Sequence, residues 1–80
     1  MLTEYIAVAL RHATYKLLED GTYFGEVPEL SGAWASAPTL EACREELREV
    51  VEDWIMVGLR NRTPIPAIDG IALEVRELSA

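Results

Sequence analysis

Eighty residues make one small domain and leave no room for a second. Half of them are apolar and 26% are charged, a globular composition and not that of a disordered chain. Seven basic against fourteen acidic residues give a net charge of −7, no apolar run approaches a membrane span, and a single cysteine excludes an internal disulfide framework.

In chain order, Thr3 caps a short helix over about residues 4 to 12, with Leu2, Ile6, Ala9, Leu10 and Ala13 recurring at three- and four-residue spacing. Residues 14 to 19 open on β-branched and aromatic side chains and predict a strand. Asp20-Gly21 then predicts a tight type I′ turn, and Pro28, which has no donor hydrogen, stops the return strand over residues 22 to 27. If Asp20-Gly21 is the whole loop, Leu18 lies opposite Tyr23 and Leu17 opposite Phe24. Large apolar groups then stand on both faces of the sheet, so each face is expected to be covered by a helix or a second subunit.

Pro28 to Gly32 reads as a turn and residues 33 to 36 as a short third strand. Pro38 and Thr39 open a long helix reaching Arg60 and Arg62, with Glu41 in its first turn. Leu40, Cys43, Leu47, Val50, Val51, Trp54, Ile55 and Gly58 form its core-facing stripe. Residues 63 to 70 hold two prolines and an Asp-Gly, and predict a stiff connection crossing back over the sheet. Ile71, Leu73 and Val75 alternate with Ala72, Glu74 and Arg76 in a last strand. The expected fold is a two-layer α+β domain of order α-β-β-β-α-β, its antiparallel four-stranded sheet packed on one long helix. It spans residues 1–80, with an added N-terminal helix over 1–14 and the core over 15–80.

The charge is uneven: residues 19 to 53 hold ten acids against Arg44 and Arg48, a net of −8, and the remainder is close to neutral. An acidic domain without a basic stripe repels a phosphate backbone, so no direct nucleic-acid partner is expected. A basic protein answers such a field. A chain this short buries only about 60% of its unfolded surface, which favours a homo-oligomer, a dimer or larger. With no membrane segment or export signal read in it, the chain is expected to be soluble and cytoplasmic.

Catalytic groups are scarce. His12, at the end of the first helix, reads as a solvated residue where imidazolium is favoured. Cys43 lies in an apolar stripe with Glu41, Glu45 and Glu46 near it in sequence, which disfavours the thiolate and makes it structural. Glu41, Glu45, Glu49, Glu52 and Asp53 are interleaved with Arg44 and Arg48, the pattern of a solvated helix face. No base–nucleophile pair, glycine-rich phosphate loop or metal-ligand spacing is present. Catalytic, cofactor-binding and metal-ligating residues are therefore all expected to be absent, and the chain is not expected to be an enzyme. The alternatives are a divalent-metal nuclease using Asp20, Glu26 and helix carboxylates, or a purely structural oligomer.

The run Tyr15-Lys16-Leu17-Leu18-Glu19-Asp20-Gly21-Thr22-Tyr23-Phe24-Gly25-Glu26-Val27-Pro28-Glu29-Leu30-Ser31-Gly32, followed by Ala35-Ser36-Ala37-Pro38-Thr39-Leu40-Glu41, resembles HicB-like antitoxins. The likeness lies in the ordered combination: strand, acidic-glycine hairpin, aromatic-led strand, Val-Pro-acid-Leu-x-Gly, then Thr-Leu-Glu opening a long helix. Ser31 departs from it, standing where a second proline is usual. The resemblance implies a partial ribonuclease-H-like fold without that enzyme's carboxylate set. It also implies a protein that neutralises a small basic HicA-like messenger-RNA-cleaving toxin; an appended DNA-binding segment is usual in the family, and the form expected here is a short one that departs from it by lacking that segment. Contact residues for such a partner are expected at Glu26, Glu29, Glu45 and Glu49, with Trp34 as an aromatic anchor.

Overall fold

The computed structural model describes residues 2–72 and gives the order α1 (Leu2–Arg11), β1 (Thr14–Leu17), β2 (Tyr23–Glu26), β3 (Trp34–Ala37) and α2 (Leu40–Arg60). The fold is α+β, with two helices and a three-stranded antiparallel sheet of order β1-β2-β3. Among the described residues no fourth strand joins this sheet. Ile71 makes only an isolated bridge to Ile68, and the remainder of the strand expected there, from Leu73 to Arg76, lies outside the described residues.

α2 begins where the sequence places it: the Thr39 hydroxyl accepts from the Ala42 amide at 3.1 Å, with Glu41 in the first turn and Arg60 in the last. Its buried stripe, Cys43, Leu47, Val51, Ile55 and Gly58, packs on β2 and β3 along one side and on α1. α1 sits against α2, and no helix of the described residues packs on the second face of the sheet. Both helices therefore belong to one layer, so the second face is not covered by a helix of this chain among the described residues. The stripe of α1 also differs from the expected one. Tyr5, Ile6, Val8 and Ala9 are buried while Leu2 is exposed, because the Tyr5 hydroxyl donates to the carbonyl of Pro66 and so turns that ring inward.

The hairpin is one residue out of the expected register. Leu17 pairs with Tyr23 and Lys16 with Phe24. The Leu18 amide donates to Thr22, the Gly21 amide donates to Leu18, and of Asp20 and Gly21 only Gly21 has a positive φ, 88°. This is a type I turn followed by a left-handed glycine, the three-residue loop with a bulge, and not a type I′ turn. The Asp20 carboxylate holds the loop by accepting from the Thr22 amide at 3.0 Å and its hydroxyl at 2.6 Å, which pulls the carboxyl below its usual range.

The slip reassigns every side chain of the hairpin to the opposite cross-strand partner. Tyr15, Gly25, Ala35 and Ala37 face the helical layer, with Gly25 and both alanines buried. Lys16, Phe24, Glu26, Trp34 and Ser36 share the other face. The core runs from this inner face through Val27, Leu30 and Ala33 to α1, α2 and Ile68. After α2 the chain turns at Asn61 and Arg62, the latter at φ 57°. Its connection is then held by α1, through Tyr5 and His12, rather than crossing the open face of the sheet.

Candidate functional site

The link from β2 to β3 is two turns in series. The Leu30 amide donates to Val27 with Pro28 second in the turn, and the Ala33 amide donates to Leu30 with Gly32 third at φ 89°. Proline is preset for the second position of such a turn, and a type II turn requires a positive φ at the third, which glycine supplies without strain. The pair buries Val27 and Leu30 at 1% exposure each and leaves Glu29 directed to α1. The Trp54 indole N–H closes the link from the side by donating to the Ser31 carbonyl at 2.8 Å.

Glu29 meets His12, whose Nδ1 lies 2.7 Å from Glu29 Oε2 while its Nε2 lies 2.9 Å from Asp69 Oδ2. An imidazole with a carboxylate at each nitrogen is satisfied only as imidazolium, since only then do both nitrogens donate. The hydrogen bonds to Asp69 and then to Glu29 accordingly raise the His12 pKa above its ordinary value, and His12 holds the Glu29 carboxyl below its own. His12 is thus a clamp joining α1, the link and the segment after α2, not the freely solvated residue expected.

On the open sheet face the Phe24 and Trp34 rings stack with centroids 5.7 Å apart and planes 26° apart, and Lys16 Nζ stands 5.5 Å from the Phe24 centroid. Trp34 is 54% exposed, so it is no core residue. The helical layer presents a different surface. With Leu47 facing the core and a rotation of about 100° per residue, Glu45, Glu49, Glu52 and Met56 point away from the sheet, and Glu45, Glu49 and Met56 are exposed. A single i,i+4 pair, Arg48 with Glu52 at 3.6 Å, interrupts this acidic ridge.

Open hollows flank α2 among the described residues. One of about 440 Å³ is lined by Leu10, Tyr15, Glu41, Arg44, Glu45 and Arg48. Another, of about 420 Å³, is lined by Val50, Asp53, Trp54, Val57, Gly58 and Thr63. Neither lining holds His12 or Cys43. Cys43 is buried beneath Gly25 with its thiol 3.6 Å from the Ala35 carbonyl, and burial, then Glu46, pushes its pKa up. Among the described residues no group of three or more histidine, cysteine or acidic side chains is arranged to hold a metal ion. No helix of the described residues is long and apolar enough to cross a membrane.

The five expected contact residues do not form one surface. Glu26 and Trp34 are cross-strand partners on the open sheet face, whereas Glu45 and Glu49 crown the helical layer on the opposite side. Glu29 is engaged by His12. Phe24, Lys16 and Asp69 complete these clusters without having been expected there. The alternation of residues 14 to 17 with 23 to 26 could have located the first two, once the correct hairpin register is assumed.

A two-layer α+β domain with one open aromatic sheet face and one acidic helical ridge is the class these observations define. A family profile described as UPF0150-like matches residues 4–66, and the chain belongs to that family. Among its relatives, UPF0150 protein ssl0259 of Synechocystis sp. is 30% identical over 61 residues, covering 76% of this chain and 84% of that protein. UPF0150 protein ssr1258 of the same organism is 41% identical over 34 residues, which is 42% of this chain and 49% of that protein, so the match spans about half of that relative. The crystal structure of TTHA0281 from Thermus thermophilus is similar with a TM-score of 0.89 and 32% identity, over 95% of each chain.

Proposed function

We propose that this chain is an antitoxin-like binding module of HicB type, which neutralises a small basic messenger-RNA-cleaving protein in the cytoplasm by covering its active surface. The acidic ridge on the outward side of α2, with Glu45 and Glu49 at its centre, is the observation that carries this reading. It sits within a segment of net charge −8, a field that draws a basic partner and repels nucleic acid. The resemblance of residues 15 to 41 to HicB-like antitoxins supplies the identity of the partner's class. In this reading the ridge steers encounter, so added salt slows association before it speeds release. Trp34 and Glu26, on the far side of the domain, lie outside that contact.

The module acts by binding and has no cleavage chemistry of its own. Asp20, one carboxylate a metal nuclease would use, is occupied in holding the hairpin loop, and Glu26 lies at the other end of β2. The test looks in the neighbouring reading frames for a short basic protein and pairs it with this chain; absence of any such frame would overturn the reading. Co-expression should return a complex, and adding this chain to the purified partner should stop RNA cleavage at a fixed molar ratio. No co-purification and no inhibition would overturn the reading. So would Mg²⁺- or Mn²⁺-dependent RNA cleavage by this chain alone that Asp20→Asn abolishes.

A further inference from the structure

The open sheet face differs from the acidic ridge of α2 in one respect: among the described residues it is electrically neutral. Its rows are Thr14, Glu26 and Trp34, then Lys16, Phe24 and Ser36, then Leu18 and Thr22 toward the hairpin loop. Lys16 and Glu26 are its only charged side chains among the described residues. A neutral face with a stacked aromatic pair at its centre does not steer a basic partner, and an exposed apolar patch on a sheet marks a contact surface.

The arrangement is also self-complementary. A two-fold axis lying in the face, across the strands and between the first two rows, exchanges those rows between two copies. It sets Lys16 of one copy over Thr14 of the other, beside Glu26, because neighbouring strands are only about 4.8 Å apart. It sets Trp34 over Ser36, beside Phe24, and Phe24 over Glu26, beside Trp34. One operation thus pairs opposite charges twice and brings the two aromatic pairs together, as an isologous interface demands. We propose that two copies of this chain pack face to face through these sheets, with Phe24 and Trp34 at the centre and Lys16 of each copy paired with Glu26 of the other. Such a dimer is independent of any toxin partner.

The test is sedimentation equilibrium of the intact chain from about 1 to 100 µM, a range that covers micromolar dissociation constants. The native chain should be dimeric. Lys16→Glu and Glu26→Lys should each weaken the dimer at least about tenfold, because each brings like charges together at both contacts. An equimolar mixture of the two variants should restore a dimer, since one copy then offers two carboxylates and the other two ammonium groups. Trp34→Ala should be monomeric with an unchanged far-ultraviolet circular dichroism spectrum, its side chain being exposed in the single chain. A native monomer throughout, variants as dimeric as the native chain, or a mixture that stays monomeric would each overturn the proposal. So would loss of a basic protein partner in Trp34→Ala, which would assign the face to that partner instead.

Discussion

Gly25 is the most closely packed of the glycines: a Cβ there would stand 2.7 Å from two ring carbons of Tyr15 and 3.1 Å from Cys43 Sγ. Replacing a strand glycine by alanine ordinarily stabilises by about 0.5–1 kcal/mol. Here the sign reverses, and Gly25→Ala should destabilise by about 1–3 kcal/mol in urea unfolding, the range for forcing an extra carbon into a packed site. Tyr15→Leu in the same chain should recover part of that loss, because the ring is the nearest obstacle. The structural role of Cys43 was legible in the sequence, since its place in an apolar stripe dictates burial. Asp20-Gly21 was legible as a turn but not as a turn type. The same dipeptide serves a two-residue type I′ loop and a three-residue loop with a glycine bulge, and only the pairing of Leu18 with Thr22 decides between them.

The elements are held together at one place by His12. Its folded pKa is raised above the ordinary 6.5, so the stability it contributes is fully present below that value and is lost as pH rises through the folded pKa. Glu29 is lowered from its ordinary 4.5, so its contribution is present above that value and is lost as pH falls through the folded pKa. The clamp is therefore strongest between about pH 4.5 and 6.5. Urea midpoints should be lower at about pH 8.5 than at about pH 5.5 in the native chain. His12→Gln should flatten that difference; a His12→Gln chain with the native pH dependence would refute the assignment. Helix α2 and the three strands were legible, because capping, periodicity and turn residues are local signals. The face that α1 buries was not, because Tyr5 turns inward to a carbonyl far along the chain. Nor was the clamp, since the partners of His12 lie on two other segments and nothing in the local pattern marks them.

At the scale of the whole molecule, two layers carry two surfaces of opposite character. The helical layer bears the acidic ridge and the sheet bears a neutral aromatic face, so the proposed basic partner and the proposed second copy would use different surfaces. Composition disclosed the excess of acid, but only the packing of α1 and α2 on one side of the sheet separates Glu45 and Glu49 from Glu26 and Trp34. Whether the basic partner meets the helical ridge is tested most directly by calorimetric titration of that partner into Glu45→Lys/Glu49→Lys and into Trp34→Ala. The double charge reversal should weaken binding at least about tenfold, while Trp34→Ala leaves the affinity for the partner unchanged. Native affinity in the charge-reversed chain, or loss of binding in Trp34→Ala, would contradict it.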